Sequence, residues 1–178
     1  MFSVGELMQK DLPKRKKIRL QNYDYSSAGA YFITICTKDM RKIFGVVENV
    51  PLSSAIVGAN CVRPMLSKIG MVAEKEIHTL SNVYGSVKVD KYVIMPNHIH
   101  FLISIIYDDN DGGRTKFAPT ISRVMKQFKG SITKQIGMPI WQRSFYDHII
   151  RDEDDYLTIW RYIDENPIRC ADDCDYIK

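Results

Sequence analysis

Val87-Lys-Val-Asp-Lys-Tyr-Val-Ile-Met-Pro-Asn-His-Ile-His-Phe-Leu-Ile-Ser-Ile-Ile-Tyr107 is the stretch on which the fold turns. Two runs rich in β-branched and aromatic residues flank Pro96-Asn97, so residues 87–95 and 98–107 read as strands joined by a tight turn. The second run begins His98-Ile99-His100. Side chains alternate along a strand with period two, which sends both imidazoles to one face and Ile99 and Phe101 to the other. That arrangement admits two readings. The histidines are either polar residues on a solvated strand face or two members of a metal site, histidine being the commonest metal ligand. The hairpin alone does not choose.

Working outward, residues 30–38 alternate through Tyr31-Phe-Ile-Thr-Ile-Cys-Thr37 and read as a strand, and residues 44–47 as a short one. Residues 50–64 mix Pro, Gly, Ser and Asn without period and read as a loop. In residues 67–80, Ile69, Val72/Ala73, Glu76/Ile77 and Leu80 fall at helical spacing behind Ser67, a candidate cap. Residues 108–116 form the clearest loop. A second helix follows over residues 119–136, its stripe made by Ile121, Val124/Met125, Phe128 and Ile132. Residues 145–151 supply a last short strand. The order strand, helix, strand, strand, helix, strand is that of the ferredoxin-like split β-α-β fold. We therefore expect an α+β chain: an antiparallel sheet with two helices on one face and room for a site on the other. The fold hosts unrelated functions and decides none of them.

One element is left over. Asp152-Glu-Asp-Asp-Tyr-Leu-Thr-Ile-Trp-Arg-Tyr-Ile-Asp-Glu-Asn-Pro167 reads as a helix capped by Asp152, its acidic first turn suited to the positive end of the helix dipole. It is expected to stop near Asn166, because the residue before proline disfavours the α region. Tyr156, Ile159, Trp160 and Ile163 make the apolar stripe. Tyr162 lies roughly 110° from the stripe centre, with Asn166 one turn on and about 40° away. By themselves the two residues read equally as a shielding tyrosine and a C-terminal cap.

With 178 residues and 45% hydrophobic content, the chain can bury one good core. No apolar run is long enough to span a membrane and no secretory segment is recognisable, so a cytoplasmic protein is expected. Cys36, Cys61, Cys170 and Cys174 show no zinc-ligand spacing and read as reduced thiols. The formal charge of +4 permits nucleic-acid binding without requiring it. Its distribution is more telling. Lys14, Arg15, Lys16, Lys17 and Arg19 form a run that is either a solvated arm or a phosphate-binding one. Arg123, Lys126 and Lys129, with Lys134 beyond, lie outside the apolar stripe of the second helix and form either an ordinary polar face or a ridge for DNA.

Taken in order, P-N-H-I-H-F-L-I (residues 96–103), W-x-x-S-F-Y-D-H-I-I-R (141–151) and Y-I-D-E-N-P (162–167) resemble the single-tyrosine HUH transposases, in particular the REP-associated tyrosine transposases. HUH denotes histidine, bulky hydrophobic, histidine. The resemblance spans about residues 31–169, and divides the chain into a basic N-terminal arm (residues 1–30) and a single catalytic domain (31–178). It implies Tyr162 as nucleophile, and His98, His100 and Asn166 as ligands of Mg²⁺ or Mn²⁺. Many insertion-sequence relatives carry glutamine at the third ligand position, and residues 50–64 match nothing in the pattern. The implied partner is single-stranded DNA folded as a hairpin, cleaved and rejoined through a covalent 5′-phosphotyrosine. A homodimer is one of the two assemblies known for such enzymes. No G-x-x-x-x-G-K loop is present, so no nucleotide cofactor is expected. Two other readings stay open: a small metal-dependent phosphoesterase with Tyr162 merely structural, and a ferredoxin-like DNA-binding protein without catalysis.

Overall fold

The structure is a computed structural model that describes residues 23–47, 64–106 and 119–172, the last three without their side chains. The basic run Lys14–Lys17 with Arg19, residues 50–63 and the loop 108–116 lie outside the described residues.

Four strands make the central sheet: β1 (Gly29–Cys36), β4 (Val87–Ile94), β5 (His98–Ile105) and β6 (Tyr146–Ile149), in the order β4-β5-β1-β6 with every pairing antiparallel. With α1 (Lys68–Val83) and α2 (Ile121–Ile136) as crossovers, this is the expected split β-α-β topology. Two further strands, β2 (Gly45–Val46) and β3 (Met65–Leu66), pair with each other. Of these, β3 was not expected, since two residues are too few to show a period.

Both crossover helices start where a side chain can satisfy a free backbone donor. Ser67 Oγ accepts from the Gly70 amide at 3.1 Å, and Thr120 Oγ1 from the Arg123 amide at 3.3 Å. The second ends on Gly137 in the left-handed region (φ 78°), where glycine carries no Cβ penalty. Their apolar stripes cover one face of the sheet. Ile33, Ile35, Ile99, Phe101 and Ile103 meet Ala73, Ile77, Val124 and Phe128 there in a single dry core. Phe101 and Phe128 contact edge to face, their centroids 5.3 Å apart.

The remaining helix, α3 (Glu153–Asp172), covers the opposite face. Asp152 caps it through the Asp155 amide at 2.8 Å, as expected. It does not stop at Asn166 but continues through Pro167. A proline inside a helix forfeits one hydrogen bond and strains the preceding turn. Here Pro167 is buried, lining a cleft with Trp160, Ile163, Leu66 and Ile94, and that packing offsets the loss. Among the described residues, no helix is long and apolar enough to cross a membrane.

Candidate active site

Helix α3 crosses the sheet and is tied down at both edges. Near its start, Asp155 meets His148 of β6 (Nε2–Oδ2 2.8 Å); further on, Asp164 pairs with Lys91 of β4 at 2.7 Å. The Lys91 ammonium also sits 4.0 Å from the centre of the Trp160 ring. Beneath the helix, Ile163 packs on Phe32 and Leu102. Between these ties Tyr162 is held over the two central strands, its ring 5.8 Å from Phe32 and 5.3 Å from His100. The flank position read from the helical period is thus the one that reaches the histidines.

The two imidazoles converge. His98 Nε2 and His100 Nε2 are 3.1 Å apart. Two nitrogens bound to one ion at about 2.1 Å each and separated by that distance subtend roughly 95° at the ion, close to the right angle of an octahedral site. Their other ring nitrogens are held as well: His98 Nδ1 by Asn97 Oδ1 at 2.7 Å, His100 Nδ1 by Thr34 Oγ1 at 2.8 Å. Such outer partners orient metal-binding histidines. Burial pushes the His98 imidazole down to about 4, against a smaller opposing pull from its hydrogen bond with Asn166. Burial, and then the adjacent His98, hold His100 well below the ordinary histidine range. Both rings are neutral at pH 7 and keep lone pairs for a cation.

Asn166, buried beside His98, completes the grouping expected from the sequence. Among the described residues no cluster of three His, Cys, Asp or Glu occurs; the donor set here is two imidazoles and an amide. Such a set fits a divalent cation: it is uncharged, and so leaves the ion's positive charge for an anionic substrate.

Other tyrosines are placed differently. The Tyr156 hydroxyl is a hydrogen-bond partner of Asp90, and burial together with that carboxylate raises its pKa. Tyr146 is half exposed on β6, paired in register with Thr34 on the histidine face, its ring 6.4 Å from Phe32.

The basic ridge is only partly what its spacing suggested. Arg123 and Lys126 are exposed, as is Lys134, but α2 lies across the sheet from the histidines. DNA touching both must pass around a sheet edge. Lys129 is turned inward, donating to the carbonyls of Gln142 at 2.8 Å and Ser144 at 3.0 Å. Burial lowers its pKa to about 8. A residue three positions from Lys126 shares its helix flank, but only the packed loop shows which lysine that loop covers. Two contributors went unread in the sequence, Thr34 and Asn97. Thr34 was identifiable only once the register paired it with His100.

No family model matches the sequence. A REP-associated tyrosine transposase of Haemophilus influenzae is 32% identical over 158 residues, covering 84% of this chain and 77% of that protein. A REP-associated tyrosine transposase of Escherichia coli is 24% identical over 146 residues, covering 82% and 70%. Among solved structures, a REP-associated tyrosine transposase bound to a REP hairpin superposes with a TM-score of 0.56 at 20% identity, covering 85% of this chain and 73% of that one. That likeness supports the α+β fold with its antiparallel sheet. With two convergent histidines, a tyrosine helix laid over them and a named relative matched across most of both lengths, the chain belongs to the REP-associated tyrosine transposases.

Proposed function

We propose that this protein is a metal-dependent single-stranded DNA strand transferase, cleaving and rejoining hairpin-forming DNA through Tyr162. The observation that carries the reading is the 3.1 Å convergence of His98 Nε2 and His100 Nε2 beneath the Tyr162 ring. His98, His100 and Asn166 would hold Mg²⁺ or Mn²⁺, the nitrogen ligands favouring Mn²⁺. Bound there, the ion would supply Lewis-acid polarisation of the scissile phosphate.

The chain's own contribution is positional. The ties at Asp155 and Asp164 fix the height and rotation of α3, so Tyr162 meets the phosphate in one orientation. Its phenolic oxygen attacks phosphorus, the bond to the 3′ oxygen breaks, and the phenolic proton leaves to water. The products are a 5′-phosphotyrosine and a free 3′-hydroxyl. Reversal with a different 3′-hydroxyl joins a new strand, and the phosphodiester energy is conserved throughout.

A hairpin substrate is favoured by the relative solved with one and by the exposed cations Arg123 and Lys126, with Lys14–Lys17 and Arg19 as further phosphate contacts. Each phosphate neutralised steepens the salt dependence of binding by close to one unit on a duplex stem.

The test is covalent capture. Labelled hairpin DNA with Mn²⁺ should give a denaturation-resistant adduct with the wild type and none with Tyr162→Phe, which should still bind the hairpin within about twofold. An adduct that survives Tyr162→Phe but disappears with Tyr146→Phe would overturn the assignment. No adduct from the wild type would favour a DNA-binding protein without catalysis.

A further inference from the structure

The hydrogen-bond chain through the two histidines locates every proton in it. Asn97 is anchored first: its carbonyl accepts from the Thr37 amide at 2.9 Å and from Thr37 Oγ1 at 3.0 Å. Its side-chain oxygen can only accept, so the 2.7 Å contact puts the His98 proton on Nδ1 and leaves His98 Nε2 bare. A 3.1 Å contact between two Nε2 atoms needs one proton between them, and that proton must belong to His100. A neutral His100 with a proton on Nε2 has a bare Nδ1, which accepts from the Thr34 hydroxyl at 2.8 Å.

This arrangement cannot bind a cation as it stands. Both Nε2 atoms must present lone pairs, so the His100 proton must leave Nε2 and reappear on Nδ1. Protons are conserved: one is released to water at Nε2 and one is taken up at Nδ1. The partner of Nδ1 must then change from donor to acceptor. A hydroxyl can do both by rotating about its C–O bond; a carbonyl, an amide N–H or a methyl group cannot. His98 needs no such change, since Asn97 already holds its proton on the far side.

We propose that Thr34 is a positioning residue for the metal site, its hydroxyl switching from donor to acceptor so that His100 can exchange its Nε2 proton for one on Nδ1 and bind a divalent cation. The two histidines are thereby unequal: Asn97 presets His98 as a ligand, and Thr34 makes His100 a conditional one. The inference rests on the metal-dependent reading given above and names the residue on which that reading depends at His100.

Two variants and two readouts test it. Calorimetry with Mn²⁺ alone should show Thr34→Val binding some 10- to 100-fold more weakly than wild type, the usual cost of losing an outer partner, and Thr34→Ser within about threefold. Valine matches threonine in shape and suits a strand, so thermal unfolding should report a folded protein for both. Nitrogen-detected NMR of the ring should find His100 protonated on Nε2 in the metal-free wild type and on Nδ1 after loading with diamagnetic Zn²⁺. His98 should carry its proton on Nδ1 in both states. Equal Mn²⁺ affinity for wild type and Thr34→Val, or a metal-free His100 already protonated on Nδ1, would overturn the role of Thr34 while leaving the metal site standing. A wild type that takes up no Mn²⁺ would overturn both.

Discussion

His100 and Phe101 are neighbours on β5, yet they serve different halves of the molecule. Phe101 points into the core under α1 and α2 and touches only apolar groups; His100 points under α3 and touches Thr34, His98 and the Tyr162 ring. Both are almost completely buried. Burial on the first face removes hydrocarbon from water and stabilises the fold. Burial on the second strips water from imidazoles and keeps them neutral, which opposes their protonation and favours a ligand. One strand therefore delivers stability and chemistry to opposite sides with no residue shared between them. The lesson is that damage to one face should leave the other largely intact.

The largest departure expected from that comparison is at the chemical face. His100→Ala should lower Mn²⁺-dependent hairpin cleavage by on the order of 10⁴-fold, the several kcal/mol that Lewis-acid polarisation supplies. Its unfolding free energy should fall by less than that of Phe101→Ala. Loss of folding comparable to the core variant would erase the division between the faces.

Phe101→Ala, next in size, should cost about 3–5 kcal/mol in denaturant unfolding, since a fully buried ring against Phe128 leaves a cavity. Cleavage per folded molecule should match wild type at a temperature where the variant stays folded. A drop in the cleavage rate of the folded fraction would mean that packing under α2 is transmitted through the sheet to the histidines.

The smallest effect concerns Lys129, which sits between ordinary core and surface. Its folded pKa of about 8 lies below the ordinary value of 10.5, so the unfolded chain binds more protons between the two. Stability therefore rises with pH across that window, the desolvation penalty being present at neutral pH and relieved above. Compared with Lys129→Met, the wild type should gain on the order of 1 kcal/mol between pH 8 and 10.5, after allowance for screening of a half-buried amine. Parallel pH curves for the two proteins would place the amine in solvent, where it could serve DNA after all.

Much of this division was legible from the order of residues. Period-two alternation separated His98 and His100 from Ile99 and Phe101, and the helical period set Tyr162 and Asn166 off the apolar stripe; both facts follow from backbone geometry that no distant contact alters. Strand and helix order gave the ferredoxin-like topology for the same reason. Chain length beyond Asn166 was misread, because the local rule against α conformation before proline ignores what the proline packs on. Pro167 is buried in a cleft built by α1, β4 and α3, and that packing comes from elements up to about a hundred residues distant in sequence. Lys129 was misread likewise, its amine being claimed by carbonyls of a loop that periodicity cannot place.

What the sequence by itself determined was which residues share a face. Which faces meet was decided only in three dimensions: the register that sets Thr34 beside His100, the two ion pairs that hold α3 across the sheet, and the 3.1 Å approach of the two imidazoles. The physical reason is one of range. Alternation and helical pitch are properties of the local backbone, whereas register and helix docking are settled by the summed packing of groups brought together from opposite ends of the chain.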